Sequence, residues 1–233
     1  MKLEKITSKT KGARRTYEDA CGTAHALDLI GERWALLVMR ELLLGPKRFS
    51  DLRADLPGIS ANVLTQRLEG LEETGLVVRR KLPPPASAQV YELTDWGYES
   101  EPIIQTLGRW ATRSPLHDSS LSLSGTSLML SFRTMFAPER AGDFVGSIGF
   151  RIGHERYRVT IADGRIEAVR GDPEGADAIL TGSAPVMAAI VYGGVPLDAL
   201  IGESALKLEG DRALVERFAT FFPLPTKVGS SVA

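Results

Sequence analysis

The 233-residue sequence predicts a mainly α domain followed by an α+β domain. Two periodicities support this division: Leu64, Leu68 and Leu71 recur at helical spacing, whereas apolar residues alternate along 148–152 as they do in a strand. A serine-rich stretch, 113–127, lies between the two patterns and is typical of a linker. We therefore expect one folded domain on each side of this stretch.

The composition is that of an ordinary globular protein. Hydrophobic residues make up 43% and charged residues 24% of the chain, which excludes disordered and collagen-like classes. The formal net charge is −1, yet residues 1–90 carry 15 basic against 11 acidic side chains. This local surplus permits, without requiring, a surface that faces phosphate groups.

The sequence lacks the patterns of export and of membrane insertion. Cys21 is the single cysteine, so no internal disulfide can form. Residues 1–18 are expected to be a flexible basic arm without the apolar core of a secretory signal. The longest apolar run, 34–45, is interrupted by charge and too short to cross a bilayer. We expect a cytoplasmic protein without a membrane partner.

Three helices are predicted first, over 19–30, 32–44 and 48–58. The second of them ends at Gly45 and Pro46 and is apolar almost all round, which predicts burial in a core.

A fourth helix is predicted from Ser60, its N-cap, to Thr74, with its leucines facing inward. Its outer face carries Asn62, Thr65 and Gln66 near the start and glutamates near the end. Amides and hydroxyls match the donors and acceptors of base edges, whereas an acidic end must avoid phosphate. The pattern favours insertion of the helix start into DNA, and an ordinary solvated helix face is the alternative.

A two-stranded hairpin is predicted next, with strands at 76–82 and 89–93. Basic residues cluster where the first strand meets the turn, at Arg79, Arg80 and Lys81. They suit the backbone or minor groove of DNA, but basic residues on an edge strand also prevent pairing between sheets.

A long helix is then predicted over Asp95–Thr112, bent or interrupted at Pro102. Its apolar residues are available for burial; they are Trp96, Ile103, Ile104, Leu107 and Trp110. Helices, hairpin and trailing helix together predict a winged helix-turn-helix domain over 19–113.

Residues 19–113 closely resemble the HxlR-type family of bacterial transcriptional regulators, within the MarR-like superfamily. The resemblance depends on the ordered motifs GERW, GPKRFSDL, GIS, LEETGLV and YELT. It implies a homodimer on double-stranded DNA, with one inserted helix per subunit and terminal helices at the dimer interface. It also implies which residues lie nearest the bases, namely Ser60, Asn62, Thr65, Gln66 and Arg67.

Some relatives in this family carry a cysteine near the start of the first helix that senses oxidants or electrophiles, so Cys21 is a candidate redox site. A sensor thiol needs access and a lowered pKa. Glu18 and Asp19 precede Cys21 and oppose thiolate formation, and Gly22 stands where relatives often have proline. The favoured interpretation is therefore a buried, small apolar residue.

The second half predicts an α+β domain over 125–222, with a linker at 114–124 and a tail at 223–233. A helix over 127–142 is followed by strands, and two later helices are capped by Ser183 and Asp211; Leu214, Val215, Phe218 and Phe222 are expected to be buried.

Residues 122–222 resemble the sterol-carrier-protein type two-like fold, most clearly at an LxGDxxL junction. The resemblance implies an apolar tunnel of lipid size between sheet and helices. Candidate lining residues are Met129, Phe132, Met135, Met187, Val191, Tyr192, Leu200, Phe218 and Phe221. The alternative is that these residues form an ordinary core, which is the commoner role of apolar side chains at helical spacing.

Enzymatic interpretations find no support in the motifs. His25, His117 and His154 are far apart, and HERYR lacks the second histidine of a zinc-hydrolase helix. A nucleophile elbow, a phosphate-binding loop and a dinucleotide fingerprint are also missing. We expect no enzymatic activity, no cofactor and no metal site.

Three hypotheses about function remain. The first is a dimeric DNA-binding regulator whose C-terminal domain holds a small apolar effector, with a twist of the linker carrying the signal. The second is a thiol-responsive regulator, through Cys21, whose C-terminal domain is a ligand-free interaction module. The third is a lipid or small-molecule carrier that does not bind DNA.

Overall fold

A computed structural model describes residues 16–81 and 88–229 of the chain. Most of the predicted basic arm, the predicted turn at 82–87 and the last four residues of the predicted tail lie outside these ranges. Among the described residues, no helix combines the length and the apolar character needed to cross a membrane.

The first half of the described chain has the mainly α winged helix-turn-helix fold that the sequence predicts. Strands β1 and β2 pair antiparallel, with Val77 opposite Leu93 and Lys81 opposite Gln89. The elements of this half are α1 (Gly22–Ile30), α2 (Ala35–Leu42), α3 (Phe49–Asp55), α4 (Ala61–Glu73), β1 (Val77–Lys81), β2 (Gln89–Leu93), α5 (Asp95–Tyr98) and α6 (Glu101–Ala111).

Two predicted helices of this half have different bounds in the structure. Helix α2 begins three residues later than predicted because Trp34 has a φ of 80°, in the left-handed region that a helix cannot include. The predicted helix Asp95–Thr112 is divided into α5 and α6, and Pro102 lies in the first turn of α6. Proline is tolerated there because the first-turn N–H has no partner within the helix.

The predicted burial of the apolar residues of this last segment is mostly wrong. Trp96 is 48% exposed, Ile103 57%, Leu107 45% and Trp110 70%, whereas Ile104 packs partly against the core of the first half. The helix turns one apolar side toward solvent because α7 (Gly125–Met135), from beyond the linker, contacts α6 on another side.

The second half folds as the predicted α+β domain, with a five-stranded sheet in the order β5-β4-β3-β6-β7. Strands β3 and β6 are parallel, and the other neighbours are antiparallel. After α7, the elements are α8 (Pro138–Ala141), β3 (Gly146–Ile152), β4 (Glu155–Ala162), β5 (Arg165–Arg170), β6 (Ala178–Gly182), α9 (Ala184–Val191), α10 (Leu197–Gly202), β7 (Leu206–Gly210) and α11 (Arg212–Ala219).

Local sequence accounts for several of these boundaries. The predicted helix 127–142 stops at Met135 because Phe136 has an extended ψ of 129°, and α8 is a separate turn that begins at Pro138. Helix α11 begins as predicted at Asp211, whose carboxylate accepts a hydrogen bond from the Leu214 N–H at 3.1 Å.

Aromatic side chains fill the core between this sheet and its helices. The Phe132 ring of α7 lies 5.7 Å from Phe150, 5.5 Å from Phe218 and 4.9 Å from Phe222, measured between ring centroids. Rings at these separations are in direct contact. Phe132 is therefore the centre of the second core.

The two halves are joined by a buried ionic cluster as well as by the linker. The Lys47 Nζ lies 3.0 Å from the Glu41 carboxylate and 2.5 Å from Asp55, both in the first half, and 3.0 Å from Glu155 of β4. The lysine side chain is 2% exposed and that of Glu41 is fully buried. A charge buried this deeply is stable only with close partners, so the two halves depend on each other here.

Further contacts extend this cluster. Ser124, at the end of the linker, donates a hydrogen bond to Glu41 at 2.7 Å, and Arg170 of β5 donates to the Pro46 carbonyl at 3.0 Å and contacts Glu155. Leu130 of α7 packs into the hydrophobic core of the first half. The halves thus share both ionic and apolar contacts.

Candidate functional site

Helix α4 presents polar side chains at its N-terminal end. The Ser60 hydroxyl accepts a hydrogen bond from the Val63 N–H at 3.3 Å and so starts the helix. Asn62, Thr65 and Gln66 are exposed on the outer face, while the leucines of the same helix are buried in the first core. The N-terminal half of α4 therefore offers amide and hydroxyl groups to a partner.

Arg67 differs from its neighbours because it is already engaged. Its guanidinium lies 3.2 Å from Glu32, and its side chain is 20% exposed. The Arg67 Nε is buried without a hydrogen-bond partner among the described residues. In this arrangement Arg67 holds the start of α2 against α4 and does not extend from the outer face.

The basic residues of the hairpin line a shallow recess of about 380 Å³ together with Gln89. Arg79 donates a hydrogen bond to Glu72 at 2.8 Å, which raises the pKa of Arg79, and its guanidinium lies 5.3 Å from the centre of the Tyr91 ring. Arg80 is paired with Glu92 and Lys81 is exposed. All three side chains are on strand β1, beside α4, at the end of the described strand.

Cys21 is exposed and stands at the N-cap of α1, so the expectation of a buried residue is wrong. The backbone N–H groups of Thr23 and Ala24 hydrogen-bond to the thiolate form and lower the pKa of Cys21. The sequence indicated two acidic neighbours that oppose thiolate formation, but it did not indicate the N–H groups that lower the pKa of Cys21. The reason is that the helix was predicted to start at Asp19, whereas it starts directly after Cys21.

The nine candidate lining residues do not surround one cavity. Met135 and Tyr192 line a cavity of about 530 Å³, and Val191 packs at the edge of the second core. The other six are buried in that core; they are Met129, Phe132, Met187, Leu200, Phe218 and Phe221.

The cavity of about 530 Å³ lies where the two halves meet. Its wall includes Thr112 at the end of α6, most of 116–123 in the linker, and Leu224 beyond α11. On the side of the second half it is lined by Ser131, Met135 and Tyr192. Sequence reasoning missed the linker residues, since nothing in their local pattern indicates which surface they cover.

A second cavity, of about 480 Å³, lies on the other side of the linker. Leu121, Ser122 and Leu123 line both cavities. The second cavity is also lined by Trp34 of the first half and by 54–57, which precede α4. The same linker side chains therefore separate one cavity from the segment that positions α4.

The ionic cluster was also missed in the sequence. Burial opposes ionisation of Glu41, but Arg40 and Lys47 outweigh it and hold the pKa of Glu41 below its ordinary value. Burial likewise opposes the charge of Lys47, and Glu41, Glu155 and Asp55 raise the pKa of Lys47 above its ordinary value. The available signal was a glutamate on the buried side of an apolar helix, which requires a partner.

Within the described residues there is no group of three or more histidine, cysteine, aspartate or glutamate side chains that could hold a metal ion.

Comparison with known proteins agrees with this arrangement. Residues 29–118 match the HxlR-like helix-turn-helix family, and residues 133–223 match the SCP-2 sterol transfer family. Neither family description names an enzyme.

Several bacterial regulators are similar to the first half. The uncharacterized HTH-type transcriptional regulator YvaP of Bacillus subtilis is 40% identical over 87 residues, covering 37% of this chain and 81% of YvaP. The HTH-type transcriptional regulator YodB of the same organism is 36% identical over 86 residues, covering 37% of this chain and 77% of YodB.

Among solved structures, the reduced form of YodB from B. subtilis is 32% identical and covers 43% of this chain and all of that one, with a TM-score of 0.38. The extent of the matches to YvaP and YodB shows the family. The chain thus belongs to the HxlR-like helix-turn-helix transcriptional regulators, with a C-terminal region that matches the SCP-2 sterol transfer family.

Proposed function

We propose that the protein is a dimeric regulator that reads a pseudo-palindromic operator in double-stranded DNA with helix α4 of each subunit. The observation that carries the proposal is the exposed cluster of Asn62, Thr65 and Gln66 at the N-terminal end of α4. Side chains at this end of a recognition helix reach base edges in the major groove. Ser60 and Arg67 flank this cluster, Ser60 as the cap and Arg67 as the residue that fixes α4 against α2.

Arg79, Arg80 and Lys81 serve as the phosphate contacts of the proposed complex. Their exposed positions on β1 and the recess that they line support this role. Their partners Glu72 and Glu92 are carboxylates at the surface, and such pairs contribute little and exchange readily for phosphate. The positive surplus of the first 90 residues comes from 1–15, so the consecutive Arg79, Arg80 and Lys81 are the local cations of this surface.

Fluorescence anisotropy tests the proposal, with DNA from upstream of the protein's own gene, a scrambled duplex and two salt concentrations. Gln66→Ala is expected to cost about 1–3 kcal/mol on the operator and to relax sequence preference. Arg80→Ala is expected to weaken binding to every sequence and to flatten the salt dependence.

Arg165→Ala, an exposed arginine on β5, is the control for Arg80→Ala and is expected to leave binding unchanged. Equal, small losses from Gln66→Ala and Arg80→Ala on both duplexes would show that α4 is not the reading helix. Absence of binding to either duplex would favour the carrier hypothesis.

The dimer is supported by an exposed apolar stripe on α6. Ile103, Leu107 and Trp110 are spaced i, i+4 and i+7, so they lie on one side of the helix, and each is at least 45% exposed. A stripe of this kind is typical of a surface covered by another subunit. Leu107→Glu is expected to give a monomer in sedimentation equilibrium and to weaken operator binding.

The matched control is Val145→Glu, since Val145 is an exposed apolar residue of the second half that lies outside the stripe. It is expected to leave both the mass and the DNA affinity unchanged. A Leu107→Glu variant that remains dimeric would exclude α6 as the interface.

A small apolar effector is the proposed regulatory signal. Support comes from the cavity lined by Met135, Tyr192 and the linker. The linker residues Leu121–Leu123 also line the second cavity, together with 54–57, which precede α4. An effector changes operator affinity only if it binds one arrangement of the recognition helices more tightly than the other. The proposed routes for the signal are the packed contacts around Lys47 and a twist of the linker, and the buried pair between Lys47 and Glu155 supports the first of them.

A thiol response through Cys21 is the second candidate function. Exposure of the thiol and its lowered pKa at the start of α1 are the observations that favour it. Wild-type protein treated with a dilute oxidant is expected to lose operator affinity, and Cys21→Ser is expected to keep it. An unaltered oxidant response in Cys21→Ser would exclude the thiol.

A further inference from the structure

The cavity of about 530 Å³ exists only where both halves of the chain are present. Thr112 and the linker residues come from one side of the junction, and Ser131, Met135 and Tyr192 come from the other. Five lining residues lie between the ranges matched by the two family models: Ser119, Leu121, Ser122, Leu123 and Ser131. Its volume is in the usual range of about 300–1,000 Å³ for small-molecule sites.

The body of this cavity is apolar. Leu123 and Met135 contribute side chains to it, and the lining residues Leu224, Leu121 and Leu116 are 49%, 66% and 91% exposed. Leaving leucine side chains in water has a free-energy cost that a ligand covering them would remove. The occupant therefore needs an apolar body.

The hydrogen bonds at the inner wall define the polar group of the occupant. Ser131 donates its single hydroxyl hydrogen to the Leu128 carbonyl at 2.7 Å. The Ser131 Oγ and the Tyr192 hydroxyl oxygen are 2.7 Å apart, and with the Ser131 hydrogen on the Leu128 carbonyl, Tyr192 is the donor that satisfies both hydroxyls. Both hydrogens are then used, and this hydroxyl pair can offer only acceptor oxygens to a ligand.

Ser119 and Ser122 also line the cavity, and their hydroxyls can donate as well as accept, so the requirement for a donor applies at the Ser131–Tyr192 pair. Thr112 donates its hydroxyl hydrogen to the Arg109 carbonyl at 2.9 Å. Asp118 accepts from the backbone and side chain of Ser120, and as a carboxylate it supplies no donor to a bound anion. His117 also lines the cavity, is exposed and can donate a ring N–H.

We propose that this cavity binds an uncharged apolar molecule with one hydroxyl group, which donates its hydrogen to the Ser131–Tyr192 pair. The inference rests on the proposed effector role, for which it names the site and the class of ligand. At this pair, a carboxylic acid of the same size would bring an anion to two acceptor oxygens, and an ether would bring another acceptor. Both are therefore expected to bind more weakly than the alcohol.

Isothermal titration calorimetry of the full-length protein, without DNA, tests the proposal with three matched probes. They are 2-naphthol, 2-methoxynaphthalene and 2-naphthoate, which share one ring system and differ in the polar group. 2-Naphthol is expected to bind roughly three- to tenfold more tightly than 2-methoxynaphthalene, which corresponds to one neutral hydrogen bond. 2-Naphthoate is expected to bind most weakly.

In Ser131→Ala the ligand is no longer required to donate a hydrogen, because the site itself gains a free donor. The hydrogen of Tyr192 then has no acceptor and becomes available to a ligand oxygen, so 2-methoxynaphthalene is expected to gain affinity and the preference for 2-naphthol to shrink. Tyr192→Phe keeps the ring but removes one acceptor, and it is expected to weaken 2-naphthol binding by roughly threefold or more.

Thr134→Val is the control, because Thr134 also donates its hydroxyl hydrogen to a carbonyl of α7 but does not line the cavity. It is expected to bind all three probes as the wild-type protein does.

Equal affinity for 2-naphthol and 2-methoxynaphthalene, or the same affinities in wild type and Ser131→Ala, would overturn the proposal. So would the absence of 2-naphthol binding. No DNA is present in the titration, so the probe affinities and the operator affinities are measured independently. Weak probe binding would not contradict operator binding, and absence of operator binding would not contradict probe binding. The two proposals can therefore fail separately.

Discussion

Replacing Lys47 by methionine tests whether the ionic cluster holds the two halves together. The Lys47 Nζ is within 3.0 Å of three carboxylates, those of Glu41, Asp55 and Glu155, and its side chain is 2% exposed. Without the ammonium group, these carboxylates face one another away from water. Removing one partner of a buried ion pair costs about 3–5 kcal/mol, and the lower end of this range is expected because Arg40 still pairs with Glu41 and Arg170 with Glu155.

Urea denaturation measures this loss, with two signals that report on different parts of the chain. All three tryptophans, at 34, 96 and 110, precede the linker, so their fluorescence reports on the first half, whereas far-ultraviolet circular dichroism reports on both halves. In the wild-type protein the two transitions are expected to coincide. In Lys47→Met the midpoints are expected to fall and to separate, because the contact between the halves is lost.

Lys207→Met is the matched control, since Lys207 pairs with Glu209 at 3.2 Å but is 70% exposed. It is expected to cost less than about 1 kcal/mol. If Lys47→Met costs no more than Lys207→Met, or if its two transitions still coincide at an unchanged midpoint, the cluster does not join the halves.

Three further predictions concern stability. Phe132→Ala is expected to cost about 3–5 kcal/mol in urea denaturation, because Phe132 is fully buried among other rings, and a loss under 1 kcal/mol would contradict its central place in the core. Ser60→Ala is expected to cost about 0.5–2 kcal/mol in urea denaturation, because the N-cap hydrogen bond of α4 is lost. The control is Ser50→Ala, since the Ser50 hydroxyl caps no helix, and equal losses in the two variants would show that the Ser60 cap does not stabilise α4. The pKa of Glu41 is below its ordinary value, so the stability that Glu41 contributes is fully present above the ordinary glutamate pKa near 4.5 and is lost as pH falls through the lower folded pKa. Urea denaturation at a series of pH values between 7 and 3 is expected to show this loss of stability. An equal loss in Glu41→Gln would contradict the prediction.

Much of the fold follows from local sequence. The helical spacing of Leu64, Leu68 and Leu71 and the cap at Ser60 were enough to predict α4, and alternation along 148–152 was enough to predict β3. Such signals suffice because periodicity records which side of an element faces a core. The family resemblance of the first half was likewise readable from ordered motifs alone.

Other features depend on contacts that no local pattern records. Cys21 is exposed because α1 begins just after it, and the apolar stripe of α6 faces solvent because α7 occupies a different side of that helix. The spacing of Met129 and Phe132 in the sequence is compatible with both a tunnel lining and a core. In the structure both residues are buried in the core of the second half. Side-chain type gives no measure of the space around a residue.

By itself the sequence determined a winged helix-turn-helix domain, an α+β domain, the order of their elements and the polar end of α4, because each of these is set by propensities and periodicities within short segments. Only the tertiary structure decided that Glu41, Lys47 and Glu155 meet in one buried cluster and that the linker forms the wall of two cavities. These residues are up to about a hundred positions apart along the chain, and their proximity depends on how two separately patterned domains dock.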